Sequence, residues 1–171
     1  MDAQSHWTLG WADRPSEEAK NLNPAFCGEL IARTVGEFHK ARRAPLNFAT
    51  AFTILPLVLH KPTRDSLPGR ANAVFAGWVA EHNPIVTELP DRAGRLRPIS
   101  REALLFAIHH QLLMIEDGGL VPGGRPLRPT AKSAPTTDDV DEARSAAALL
   151  GRWFANQRSQ PSVLQGLGIT P

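Results

Sequence analysis

The sequence predicts a mainly α-helical protein with one small β-hairpin. Three observations support this fold class. Apolar residues recur at helical spacing in several segments, a turn sequence at Asp117-Gly118-Gly119 separates two short apolar runs, and a Pro/Gly-rich stretch precedes the last helix. With 171 residues, of which 42% are hydrophobic and 21% charged, the chain can build one sizeable core with a docked appendage.

The composition divides the chain into an N-terminal arm, a core, a linker and a C-terminal helix with its tail, at residues 1–22, 23–122, 123–137 and 138–171. The arm carries Trp7 and Trp11 among polar residues. These indoles either cover the protein's own core, which is the favoured interpretation, or contact a partner.

The first helix begins at Asn23-Pro24, because Asn is a good cap and Pro is tolerated at the first helical position. Its predicted inner face consists of Phe26, Leu30, Ile31, Thr34, Val35 and Phe38. Cys27 has no basic neighbour in sequence, so we expect a buried apolar cysteine rather than a nucleophile.

Three further segments precede the hairpin. Residues 45–59 predict a buried helix that Pro56 kinks or interrupts, residues 61–68 a short helical turn, and residues 71–79 an amphipathic helix that ends at Asn83-Pro84. Residues 84–98 have a helical apolar pattern, but Pro90 and Gly94 oppose continuity, so a broken helix is expected there.

Residues 99–124 predict a central, mostly buried helix that runs directly into a β-hairpin. Ser100 is the expected N-cap of this helix. The hairpin follows from two short apolar strands around the Asp117-Gly118 turn. A helix followed by a hairpin is the second half of a winged-helix unit, although a nucleic-acid role must be argued from the site rather than from the fold.

Arginines flank this unit on both sides. The candidate DNA contacts are Arg92, Arg95, Arg97, Arg101, Arg125 and Arg128. In a winged-helix domain they would bind phosphates, whereas the alternatives are contact with acidic residues of a partner or simple solvation. The formal net charge of +2 is too small to imply nucleic-acid binding by itself.

Residues 138–157 predict an amphipathic helix, and the tail after it one more helical turn. Such a helix after a linker either folds back onto its own core, which is favoured, or docks onto another protein. The candidate partner contacts are Trp7, Trp11, Trp153, Phe154 and Leu164.

Catalytic motifs are absent from the sequence. The 6 histidines follow neither a metalloprotease nor a Cys/His metal spacing, and there is no phosphate-binding loop or nucleophile elbow. We therefore expect a non-enzymatic protein without a cofactor, a metal or a small-molecule substrate. The single cysteine, the lack of a secretory signal and the short apolar stretch at residues 48–59 predict a cytoplasmic protein without a membrane span.

Several segments, in their order, resemble the middle component of bacterial three-component ABC systems from about Trp11 to Pro171. They are WADRP, NLNPAFCGELIARTV, FTILPLVLHKPTRDSLP, PISREALLFAIHHQLLMIEDGGLVPG, LLGRWFA and the closing LGITP. The resemblance implies a small accessory subunit that works with a large SMC/Rad50-like ABC ATPase and a third system component. It also implies a role in defence against phage or other foreign DNA, and it brings no catalytic residues.

Two functional hypotheses follow. In the first, which we favour, the chain is an adaptor that joins the ATPase to the third component. In the second, it is a stand-alone winged-helix protein whose arginines bind double-stranded DNA.

Overall fold

The computed structural model describes residues 13, 14, 16, 22–127 and 136–170. Trp7, Trp11 and Arg128 lie outside these residues, as do most of the predicted N-terminal arm and most of the linker. The described part contains seven helices and a small antiparallel sheet, which confirms the mainly helical fold class.

The helices are α1 (Pro24–Arg42), α2 (Phe48–Val58), α3 (Lys61–Ser66), α4 (Phe75–Glu81), α5 (Asn83–His109), α6 (Asp138–Ala155) and α7 (Gln160–Gly166). The strands are β1 (Leu46–Asn47), β2 (Leu113–Glu116) and β3 (Gly119–Pro122), in the spatial order β1-β3-β2. Strand β1 was not predicted, since its residues belonged to the expected helix at 45–59. The order of helices and strands is compatible with a winged-helix unit.

Helix α1 begins where the sequence predicts. The Asn23 side chain accepts a hydrogen bond from the Phe26 backbone N–H at 2.7 Å, which satisfies one of the free donors of the first turn. The predicted inner face is buried, apart from a partly exposed Phe26, and Cys27 is fully buried within it. Arg43, the residue after the helix, has a φ of 56° and donates its backbone N–H to the carbonyl oxygen of His39.

Helix α6 packs against α1, which confirms that the C-terminal helix folds back onto the core. The two helices approach closely because Gly151 faces the α1 backbone. The Thr34 hydroxyl donates to the carbonyl oxygen of Ala147 at 2.9 Å across this interface. At the edge of this interface, the Arg144 guanidinium donates two hydrogen bonds to the Glu29 carboxylate: Nε to Oε1 at 2.8 Å and Nη2 to Oε2 at 3.0 Å.

Helix α5 differs most from the prediction. It is continuous over 27 residues and includes both Pro90 and Pro98, so the expected break at 84–98 is wrong. Ser100 lies inside the helix and is fully buried, so it is not an N-cap. The physical reason is that one apolar stripe of α5 packs on α1 and α2 along its length, and this burial outweighs the local cost of two prolines.

The predicted boundary between α4 and α5 is also wrong. Helix α4 begins at Phe75 rather than near Ala71, and Asn83-Pro84 opens α5 instead of only ending the preceding helix. Proline at the first helical positions loses no hydrogen bond, so the same dipeptide is compatible with a start.

The β-hairpin is present as predicted. Asp117 and Gly118 form its two-residue loop with φ values of 48° and 73°, which are the positive values that a tight hairpin turn requires. None of the described helices is both long and apolar enough to cross a lipid bilayer.

Candidate interaction site

The helix–hairpin unit exposes large apolar side chains. Leu105 on α5 is 60% exposed, and Met114 and Ile115 on β2 are 45% and 56% exposed. Leu105 is exposed because the opposite face of α5, with Ala103 and Ala107, packs into the core. Large apolar side chains that remain exposed on one helix–hairpin unit are candidates for contact with another protein.

Strand β2 adds a second feature to this surface. It lies at the edge of the described sheet and pairs only with β3. Its outer edge therefore presents backbone N–H and C=O groups that no described strand satisfies. Such an edge can accept an extended segment of another chain by strand addition.

Exposed side chains form a ridge along the outer face of α5. Arg97, Arg101, Leu105 and His109 follow one another at intervals of four residues and are all exposed, so they lie on one side of the helix. The two arginines give the start of this ridge a positive charge, and Leu105 makes its continuation apolar.

The tip of the hairpin has the opposite charge. Glu116 and Asp117 are both exposed there. In a winged-helix protein bound to DNA the hairpin approaches the phosphate backbone, so two carboxylates at its tip would be repelled. A partner that carries both signs of charge fits this surface better than a polyanion does.

The arginines predicted as DNA contacts do not form one cluster. Arg92 is nine-tenths buried, donates to the Thr63 hydroxyl at 3.0 Å and pairs with Glu88 at 3.5 Å; its burial lowers its pKa. It joins α5 to α3, and we do not retain it as a DNA contact. Arg95 is exposed but lies about 200° around the helix from Arg97.

Arg125 is exposed directly after the hairpin, and its backbone N–H donates to the Gln111 carbonyl oxygen at 2.8 Å. Among the candidate arginines of α5, Arg97 and Arg101 share an exposed face, because helical periodicity separates residues that are close in sequence.

The candidate partner contacts near the C-terminus are buried. Trp153, Phe154 and Leu164 all lie in the core of the described structure. The Trp153 indole donates to the Ala73 carbonyl oxygen at 2.8 Å and packs on Trp78, with ring centroids 5.4 Å apart. These side chains hold the C-terminal elements in place and are not available to a partner in this fold.

Sequence reasoning missed Leu105, Met114 and Ile115 as candidate contacts. The helix at 99–109 carries apolar residues on most of its circumference, so we expected most of it to be buried. One signal was available: Leu105 continues the four-residue interval of Arg97 and Arg101, which places it on a charged and therefore exposed face.

Cys27 is a free, fully buried cysteine of the described part. Burial raises the pKa of the Cys27 thiol to about 12, which keeps the thiol protonated. No group of three His, Cys, Asp or Glu side chains that could hold a metal ion occurs within the described ranges.

The fold and this surface define a mainly helical protein with a helix–hairpin unit suited to contact with other macromolecules. Comparison with sequence families then gives a specific assignment: the model of the ABC-three component (ABC-3C) system Middle Component 3 family matches residues 11–171. The chain belongs to this family, which confirms the resemblance to a middle component and implies the other components of such a system as partners. The searches of curated proteins and of solved structures found no match.

Proposed function

We propose that this protein is a non-enzymatic adaptor that joins the large SMC/Rad50-like ABC ATPase of its system to the third component, in defence against phage or other foreign DNA. Membership of the Middle Component 3 family supports a role among several components. The observation that carries the adaptor role is the exposure of three large apolar side chains, Leu105, Met114 and Ile115, on the helix–hairpin unit.

The energetics of this surface favour a protein partner. Full burial of a side chain such as Leu, Ile or Met contributes about 1.5–3 kcal/mol, and the exposed fractions leave roughly half of that available for binding. Exposed apolar side chains on the same unit as the arginine ridge and the free edge of β2 are of the kind that forms the apolar part of a binding site, with polar contacts around it.

The experiment is co-expression of the full tagged chain with the other components of its own system, followed by purification after nuclease treatment. We expect both the ATPase and the third component to remain bound to the wild-type chain. The double variant Leu105→Asp with Ile115→Asp should lose at least one of them, because each new carboxylate would be desolvated at the interface.

Val74→Asp is the matched control. Val74 is 74% exposed and lies at the start of α4, outside the helix–hairpin unit, so this variant should retain both components. All the replaced side chains are exposed, so the variants should unfold at nearly the wild-type temperature. A wild-type chain that purifies alone in the presence of both components would refute the adaptor function.

DNA binding by α5 is the second candidate function, and the exposed pair Arg97 and Arg101 is the observation that favours it. It predicts that replacing both residues with Ala weakens binding to any duplex and flattens the salt dependence of that binding. Absence of duplex binding at low salt, both for the chain alone and for the complex, would contradict it.

A further inference from the structure

A groove of about 500 Å³ lies between α2, the first half of α5 and the chain after α7. Phe48, Phe52, Ala93 and Ile169 contribute to its apolar walls, and Gly94 and Arg97 line its α5 side. This groove lies on the N-terminal part of α5, whereas the exposed apolar side chains of the proposed function, Leu105, Met114 and Ile115, lie beyond Arg101. Arg97 lines the groove and is also the first residue of the exposed ridge on α5.

Phe48 and Phe52 form the aromatic wall of the groove. The rings of Phe48 and Phe52 meet edge to face, with centroids 5.7 Å apart. Phe48 is 37% exposed although it stands at the start of a helix whose next turns are deeply buried. A ring held in this way by its neighbour offers contact area at little entropic cost.

No close packing contact in the described structure explains why residue 94 is a glycine. It lies in the interior of α5, where glycine costs roughly 0.5–1 kcal/mol relative to alanine. A Cβ atom built at this position would meet no atom within 4 Å. A small residue in open space along the groove is explained if an occupant approaches the backbone of α5 there.

Arg97 supplies the charge of the groove. The other lining residues are uncharged, and Arg97 makes no hydrogen bond or ion pair within the part of the chain that the structure describes. A carboxylate is the complementary group for a guanidinium at the rim of an apolar groove.

From these observations we propose that the groove docks a segment of another system component that inserts an apolar side chain beside Phe48 and Phe52 and places an adjacent carboxylate on Arg97. The proposal rests on the proposed adaptor function and deepens it, because it gives the adaptor a second contact region with its own chemistry.

The recognition chemistry is tested with two small probes, 3-phenylpropionate and its uncharged counterpart 3-phenylpropanamide, titrated into the full chain and followed by amide NMR. Both probes should shift the amide signals of Ala49, Ala93, Gly94 and Gly168. The carboxylate should bind about two- to five-fold more tightly, which is the factor that an exposed ion pair contributes.

Two variants and a control position separate the contributions of charge and shape. Arg97→Gln should remove the preference for the carboxylate, and Gly94→Leu should abolish binding of both probes because it fills the groove. Arg95 does not line the groove and lies about 200° around α5 from Arg97, so Arg95→Gln and Arg95→Leu should leave binding unchanged. Absence of shifts at the groove amides, or an undiminished preference in Arg97→Gln, overturns the proposal.

The same variants are then co-purified with the other system components. Loss of one component in both Gly94→Leu and Arg97→Gln, with retention of that component in both Arg95 variants, supports the proposal. If every variant retains all components, the proposal is wrong while the adaptor function stands. If the wild-type chain binds no component, the adaptor function itself fails.

Discussion

Gly151→Ala is the most informative single change to this fold, because it adds one methyl group where two helix backbones meet. An added Cβ atom would overlap the Thr34 carbonyl oxygen and would lie 2.8 Å from the Glu37 Cβ and 3.0 Å from the Phe38 nitrogen. Ordinary van der Waals contact begins at 3.4 Å. Because two of these three neighbours are backbone atoms, α1 and α6 must move apart.

The magnitude follows from three contributions. Overpacking costs about 1–3 kcal/mol. Separation of the helices also weakens the hydrogen bond from Thr34 to Ala147, which contributes about 0.5–1.5 kcal/mol. The higher helix propensity of alanine stabilises the folded state by about 1 kcal/mol and offsets part of this loss. The expected result is a net loss of about 2 kcal/mol in the free energy of unfolding.

Urea unfolding followed by circular dichroism measures this loss. Gly94→Ala is the matched control, since it makes the same substitution in a helix where the new Cβ meets no atom within 4 Å. That variant should be more stable than the wild type by about 0.5–1 kcal/mol. A Gly151→Ala protein as stable as the wild type would refute the close packing of α1 and α6.

The remaining predictions concern pH and thiol reactivity. Burial alone would raise the pKa of Glu29, but hydrogen bonds from Arg144 and Arg33 outweigh it and lower the pKa below its ordinary value of 4.5. The unfolded chain therefore takes up the proton first as the pH falls. The stability that Glu29 contributes is complete above about pH 4.5 and disappears as the pH falls through the folded pKa. Glu29→Gln should flatten the pH dependence of the free energy of unfolding, measured by urea titration at several pH values. An unchanged pH dependence would show that the ion pairs of Glu29 do not contribute this stability. Cys27, fully buried and with a pKa of about 12, should resist a maleimide in the native protein and react promptly in denaturant; equal rates in the two states would show that it is accessible.

Local chemistry explains the features that could be predicted from the sequence. The Asn23 cap needs only the next residues of its own helix, and the hairpin loop needs only a dipeptide that accepts positive φ. Likewise, the apolar residues at helical spacing in α6 predict which side of that helix faces the core. The cap and the turn each involve residues at most a few positions apart, so the residues that interact are already neighbours in the sequence.

The start of α5 could not be predicted in this way. Ser100 has the chemistry of an N-cap, and Pro90 and Pro98 have the chemistry of helix breakers. The structure nevertheless continues the helix through all three positions. Local penalties of a few kcal/mol were outweighed by the burial of Val86, Leu89 and other side chains against distant segments.

The same limit applies to the candidate contacts. Trp153 and Leu105 are both apolar residues of amphipathic helices, yet the first is fully buried and the second is 60% exposed. The sequence by itself determined the helical class, the first cap, the hairpin and the family resemblance, because these depend on local geometry and residue order. Only the tertiary structure decided which apolar side chains are covered and which arginines share a face, because burial is a property of segments that meet only after the chain has folded.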